Sequence, residues 1–194
     1  MKLRLLLLVL ALALATAAAR AQGAIYFNPV VTRISNSTPD SGPFAFLGQG
    51  GTSQIFGGVM FGGYYTVLNQ PKFDVSLDIR DQLEHGGGAS LNSLLFGPRI
   101  SANHLSRPAL KPYLEIMAGE GRSKSQLSAI HITKFEYDAF LGADYALNRH
   151  VDWRIAEIGY GQVTTSSSYI YGGPTPIPAA NLLHFSTGFV FRFP

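Results

Sequence analysis

Ionisable side chains recur at every second position along several extended segments of this sequence, the spacing that puts them on one face of a β-strand. Glu136, Asp138 and Asp144 share one parity, while Phe135, Tyr137, Ala139, Leu141, Ala143 and Tyr145 take the other. Asp74, Asp78 and Arg80 alternate likewise with Phe73, Val75, Leu77 and Ile79. Arg99 lies opposite Leu94, Phe96 and Ile100, Glu115 opposite Leu114 and Ile116, and Arg192 opposite Phe189, Phe191 and Phe193. Arg154 and Glu157 reach a common face only if a bulge near Ala156 shifts the parity of their strand. Inside a small closed sheet such a set either pairs into a plug of salt bridges or lines a path for ions or solutes. A desolvated charge is costly unless it is paired and hydrogen-bonded, which favours the plug. The candidate lumen network is therefore Asp78, Arg80, Arg99, Glu115, Glu136, Asp138, Asp144, Arg154, Glu157 and Arg192.

His184 and Ser186 share a face of the last strand and could in principle form a base and a nucleophile. A His-x-Ser pair of this kind resembles that of the outer-membrane lipid A deacylases, and the resemblance implies a serine hydrolase with a carboxylate orienting the ring. Here the pair has the parity of Arg192, away from the aromatic face, and no partner carboxylate can be assigned from the sequence. No catalytic residue is expected on this basis. His85, His104, His131 and His150 fall on loops and turns without ligand spacing, so neither a metal nor a cofactor is expected. The glycine clusters Gly50-Gly51, Gly57-Gly58, Gly62-Gly63 and Gly86-Gly87-Gly88 lack a following Lys-Ser/Thr and read as turn and curvature elements.

The elements that carry these residues are eight short segments of two-residue alternation, cut by Gly-, Pro-, Asn- and Ser-rich breaks. The strands are expected at about 24–34, 52–67, 73–80, 90–102, 112–120, 135–145, 151–163 and 183–193. Pro29 suits a strand end or bulge better than a regular ladder position. The longer connections fall near 36–51, 81–89, 121–131 and 164–180, alternating with turns at 69–71, 103–111 and 148–150. Tyr64, Tyr65, Tyr113, Tyr145, Trp153 and Phe193 lie towards strand ends, where aromatic anchors of a membrane interface would sit.

Residues 1–21 read as an export signal: Lys2 and Arg4, then an apolar run from Leu5 to about Ala15, then Ala19-Arg20-Ala21 as a small-x-small cleavage site. The remaining 22–194 form one domain. The chain has 15 Lys and Arg against 12 Asp and Glu. Three of the basic residues (Lys2, Arg4, Arg20) belong to the signal, so the mature charges balance and nothing points to nucleic acid. With 0 cysteines, disulfides and thiolate metal sites are excluded.

The terminal pattern Phe189-x-Phe191-x-Phe193, followed by Pro194, resembles the C-terminal assembly signal of outer-membrane barrels. With the alternation of long and short connections, the whole mature chain resembles the small eight-stranded OmpA/OmpX-like barrels. The resemblance implies an all-β, eight-stranded, antiparallel up-and-down transmembrane β-barrel, exported and then inserted in the outer membrane of a Gram-negative cell envelope. Its implied partners are outer-membrane lipids, periplasmic chaperones, the barrel assembly machinery and an unidentified surface ligand. The expected role is structural or surface-interacting. The alternatives are a narrow porin-like channel, a lipid A-modifying hydrolase, and a soluble secreted β-barrel or β-sandwich.

Overall fold

A computed structural model of the protein describes residues 23–37, 39, 46–48, 50–102, 109–126, 131–163 and 179–193. Eight strands follow in sequence: β1 (Gly23–Ser35), β2 (Ser53–Asn69), β3 (Phe73–Gly86), β4 (Ala89–Ala102), β5 (Leu110–Lys124), β6 (His131–Ala146), β7 (Val151–Val163) and β8 (Ala180–Phe193). Each pairs antiparallel with its neighbour, and β8 returns to β1 with Phe193 opposite Gly23, closing the barrel. Closure satisfies the backbone groups that an open sheet would leave bare at its two edges. The export signal expected at 1–21 and Pro194 lie outside the described residues.

Side chains alternate between wall and lumen except at the register shifts in β2 and β7, and the polarity is the reverse of a water-soluble protein's. Among the described residues thirty large hydrophobic side chains are exposed, all but Leu147 on strands, and they include Phe27, Ile79, Ile116, Leu141 and Phe185. The lumen holds most of the buried charge, including Arg80, Arg154, Glu115 and Glu136. A contiguous apolar patch of that extent is far larger than soluble monomers expose. It is the outer band of a transmembrane barrel.

The strands run further than their alternation suggests. β3 and β4 continue to Gly86 and Ala89, leaving Gly87 and Gly88 as a two-residue turn where a loop over 81–89 was expected. Both glycines have positive φ, 56° and 84°, which a tight hairpin demands of its two central residues. Asp81, on the outward parity, disguises the continuation of the strand. Similarly β5 extends to Lys124 and β6 begins at His131, so the connection expected over 121–131 shortens to 125–130.

Pro29 sits in the middle of β1, paired with Val59 of β2. On its other side the β1–β8 register resumes only at Phe27↔Phe189 and Val30↔Ser186. The missing amide hydrogen of proline therefore coincides with a gap in that ladder. The bulge expected near Ala156 lies between Arg154 and Glu157 in the β7–β8 register, and both side chains point inward.

Candidate functional site

An eight-stranded barrel is just wide enough for side chains to fill it, and the lumen is built in layers along its axis. At its centre three arginines and three carboxylates form a closed alternating ring. Arg80 binds Glu115, whose Oε1 accepts from Arg99 at 2.8 Å. Arg99 donates to Asp144 at 2.6 Å, and the other Asp144 oxygen accepts from Arg154 at 3.1 Å. Arg154 donates to Glu157 at 3.1 Å, and both Glu157 oxygens accept from Arg80 at 3.0 and 3.1 Å, which returns the ring to its start. All six side chains are at most 2 % exposed, and the ring is electrically neutral.

Aromatic side chains pack the ring from above and below. Arg80 stacks 4.0 Å over Phe140, Arg99 3.6 Å over Tyr113 and 4.4 Å over Tyr64, and Arg154 4.5 Å over Tyr26. The guanidinium planes suit both the forked carboxylate contacts and the ring faces. Tyr113 donates to Glu157 at 2.6 Å, Ser186 to Glu157 at 3.1 Å, and Tyr26 to Asp78 at 2.7 Å. Tyr64 and Tyr113 are therefore lumen residues and not the interfacial anchors their positions near strand ends suggested. Adjacent Tyr64 and Tyr65 must face opposite sides, and Tyr113 has the parity of Glu115.

Arg192 lies below the ring, at the barrel end where β1 begins and β8 ends, 2.7 Å from Asp152, which Lys111 approaches at 3.8 Å. Beside them is a small recess lined by Tyr64, Thr66, Asp74 and Arg99.

Glu136 and Asp138 do not join the ring. They stand on its far side, past an apolar layer of Leu95, Met117 and Phe140, in a second cluster with Glu84 and His184. The ligating atoms of Glu136, Asp138 and His184 lie within 4.8 Å of one another. His184 Nε2 is 3.4 Å from Asp138 Oδ1, and its Nδ1 is 2.8 Å from Thr32 Oγ1. Thr32 in turn donates to Glu84 at 2.7 Å, and Ser93 to Glu136 at 2.8 Å. One inward step further along the strands, Ile34, Phe56, Leu91, Val163 and Leu182 form an apolar cap.

The pairing of His184 with Ser186 is not made. Ser186 Oγ belongs to Glu157 and His184 Nδ1 to Thr32, and both residues are 2 % exposed. A base that does not touch its nucleophile, with neither open to lipid, is not a hydrolase dyad.

No protein-family model matches the sequence, and no curated protein matches it. Solved structures do. Neisserial surface protein A superposes with a TM-score of 0.59 at 14 % identity, over 88 % of this chain and 97 % of that one. Ail, the attachment invasion locus protein of Yersinia pestis, solved with the heparin analogue sucrose octasulfate, gives 0.51 at 10 % identity, over 89 % and 99 %. The fold is that of the small eight-stranded outer-membrane barrels.

Within this eight-stranded barrel, eight of the ten candidate lumen charges join the ring, its immediate partners or the Arg192 pair, and Glu136 and Asp138 form the second cluster. Sequence reasoning missed Glu84 by ending the third strand at Arg80. The run Asp78-x-Arg80-x-Gln82-x-Glu84 keeps one parity and carried that signal. His184 was read only beside Ser186, its strand neighbour, because its partners lie on β1, β3 and β6.

Proposed function

We propose that this protein is an integral outer-membrane barrel with a structural and surface-interaction role, its lumen closed by paired charges. The observation that carries the reading is the closed ring of Arg80, Glu115, Arg99, Asp144, Arg154 and Glu157 within a wall of exposed apolar side chains. Paired charges stacked on aromatic faces leave no water-filled path at that level. A conducting lumen needs polar groups that bind an ion weakly and release it, not groups already bound to each other. What remains for interaction is the connecting chain at the end remote from the termini, chiefly 36–52 and 164–179. Neisserial surface protein A and the attachment protein Ail are named for surface roles, which is in keeping with this reading.

On this reading the chain is exported, escorted by periplasmic chaperones, and inserted by the assembly machinery, which reads Phe189, Phe191 and Phe193. All three side chains project from the outer wall of β8. The test is a denaturing gel of outer membranes extracted in mild detergent, with and without boiling. Two mobilities, the compact one lost on boiling, are expected. A single mobility with protein released without detergent would overturn the proposal.

A further inference from the structure

We infer that Glu136, Asp138 and His184 form a buried site for one divalent first-row transition-metal cation, with Thr32 and Glu84 positioning the imidazole behind it.

The first support is how the three side chains meet. Glu136 and Asp138 are two residues apart on β6, so they face the same way, whereas His184 belongs to β8. β7 runs between them, and its inward residues at this level are Gly159 and Gly161. Gly161 is paired with Asp138, and Gly159 with His184. A Cβ on Gly161 would overlap the Asp138 carboxylate, and one on Gly159 would overlap Phe140 and come 3.1 Å from His184 Cδ2. The bare stretch of β7 lets side chains from two non-adjacent strands converge.

The second is unused donor capacity. Asp138 Oδ1 and Oδ2, Glu136 Oε1 and His184 Nε2 have no hydrogen-bond partner among the described residues, although none of these residues is more than 2 % exposed. Buried polar atoms are nearly always paired, and a group of unpaired ones converging on a point calls for an occupant.

The third is the direction of the hydrogen bonds. The Thr32 hydroxyl has one proton and gives it to the Glu84 carboxylate, so it can only accept from His184 Nδ1–H. The neutral ring then carries its lone pair on Nε2, aimed at Asp138 Oδ1 3.4 Å away. Two lone pairs face each other, and a cation between them removes the repulsion. An imidazole held through its far nitrogen by a carboxylate-linked group is the usual support of a metal-bound histidine.

The fourth is charge. The ring below has an arginine for every carboxylate, but no arginine among the described residues pairs with Glu84, Glu136 or Asp138. Apolar layers on both sides keep the cluster from water. Mixed imidazole and carboxylate donors select zinc, manganese, iron or cobalt over the all-oxygen preference of calcium and magnesium. Ligand bonds of about 2.0–2.2 Å set donors at most ~4.4 Å apart across one ion, so small rotamer shifts bring the 4.8 Å cluster onto it. Because the site is capped, the ion enters as the barrel closes and is afterwards held against chelators.

The test is to refold the whole barrel from urea into detergent, with Zn2+ or with EDTA. Each sample is then passed through gel filtration in EDTA and its metal measured by mass spectrometry. One retained Zn2+ per chain is expected, with a higher temperature for the gel-mobility change than in the EDTA-refolded protein. Asp138→Asn, which keeps the side-chain shape, should bring retained zinc to background, and the exposed-site control Glu120→Gln should not. Refolding with Co2+ gives a readout on the wild type alone: visible ligand-field bands that persist in EDTA. Wild type that retains no Zn2+ and shows no Co2+ bands would overturn the site, as would equal retention by Asp138→Asn. Stability that follows pH and ignores the metal would also overturn the site, since a proton within the cluster would then fill the gap instead.

Discussion

Asp138 and Gly161 are registered partners across β6 and β7, and the carboxylate of one fills the volume that a side chain on the other would need. Gly161→Ala is expected to destabilise the barrel by about 1–3 kcal/mol, the usual cost of overpacking. Gly57 offers the comparison, since a Cβ there meets nothing within 4 Å. Gly57→Ala should stay within about 0.5 kcal/mol of wild type. Urea titrations in detergent measure both. Equal effects at the two positions would mean that Asp138 moves aside freely.

Removing one member of the arginine–carboxylate ring leaves its partners charged and buried. Arg80→Met strips Glu157 of a two-pronged contact and Glu115 of one of its two arginines. The expected loss is about 3–5 kcal/mol. Arg122, 53 % exposed and 3.8 Å from Glu120, makes a pair of the kind that contributes little. Arg122→Met should cost less than about 1 kcal/mol. Comparable losses in unfolding titrations would show that the ring is solvated.

Planar-bilayer recordings check the closed lumen directly. Purified wild-type barrel should leave the membrane current at the level of bare bilayer. A reproducible unitary conductance, altered by Arg99→Gln, would place an ion path through the ring.

The outer wall makes a depth-dependent prediction. Ile116 is 61 % exposed at the middle of β5, whereas Val67 lies near the β2–β3 turn. In lipid vesicles Ile116→Arg should cost about 2–4 kcal/mol, and Val67→Arg about 0–1 kcal/mol. In a water-facing wall both would be nearly neutral, so the gradient separates lipid from water.

Much of this architecture is legible in the sequence because β-structure has a period of two and a barrel gives each parity one fate. Phe185, Phe189, Phe191 and Phe193 face outward and Arg192 inward for that reason alone. Parity cannot report where a strand stops when polar residues continue on both faces. Asp81 and His85 on the outer side of β3 hid Glu84 on the inner side.

Nor does parity say which lumen residues touch. The ring draws Arg80, Arg99 and Arg154 from β3, β4 and β7 and their acids from β5, β6 and β7, and the stagger of the closed sheet fixes those contacts. The Glu136–Asp138–His184 cluster was hidden more deeply, since its enabling residues are glycines, which carry no chemical signature. Gly159-x-Gly161, with inward parity between a diacid strand and a histidine strand, was the trace it left.

The two-residue turn at Gly87-Gly88 has a consequence for anything that approaches the barrel from that end. Connections there comprise 17 residues between β1 and β2 and 16 between β7 and β8, but only 2 between β3 and β4 and 6 between β5 and β6. The long pair flanks the seam where β8 meets β1, so nearly all the sequence free to vary without disturbing the wall is gathered on one side of the rim. On the proposed surface role, a receptor, antibody or phage would therefore meet a lopsided target. Diversifying selection would be expected to concentrate over the β8–β1 seam and to leave the β3–β6 rim almost unchanged.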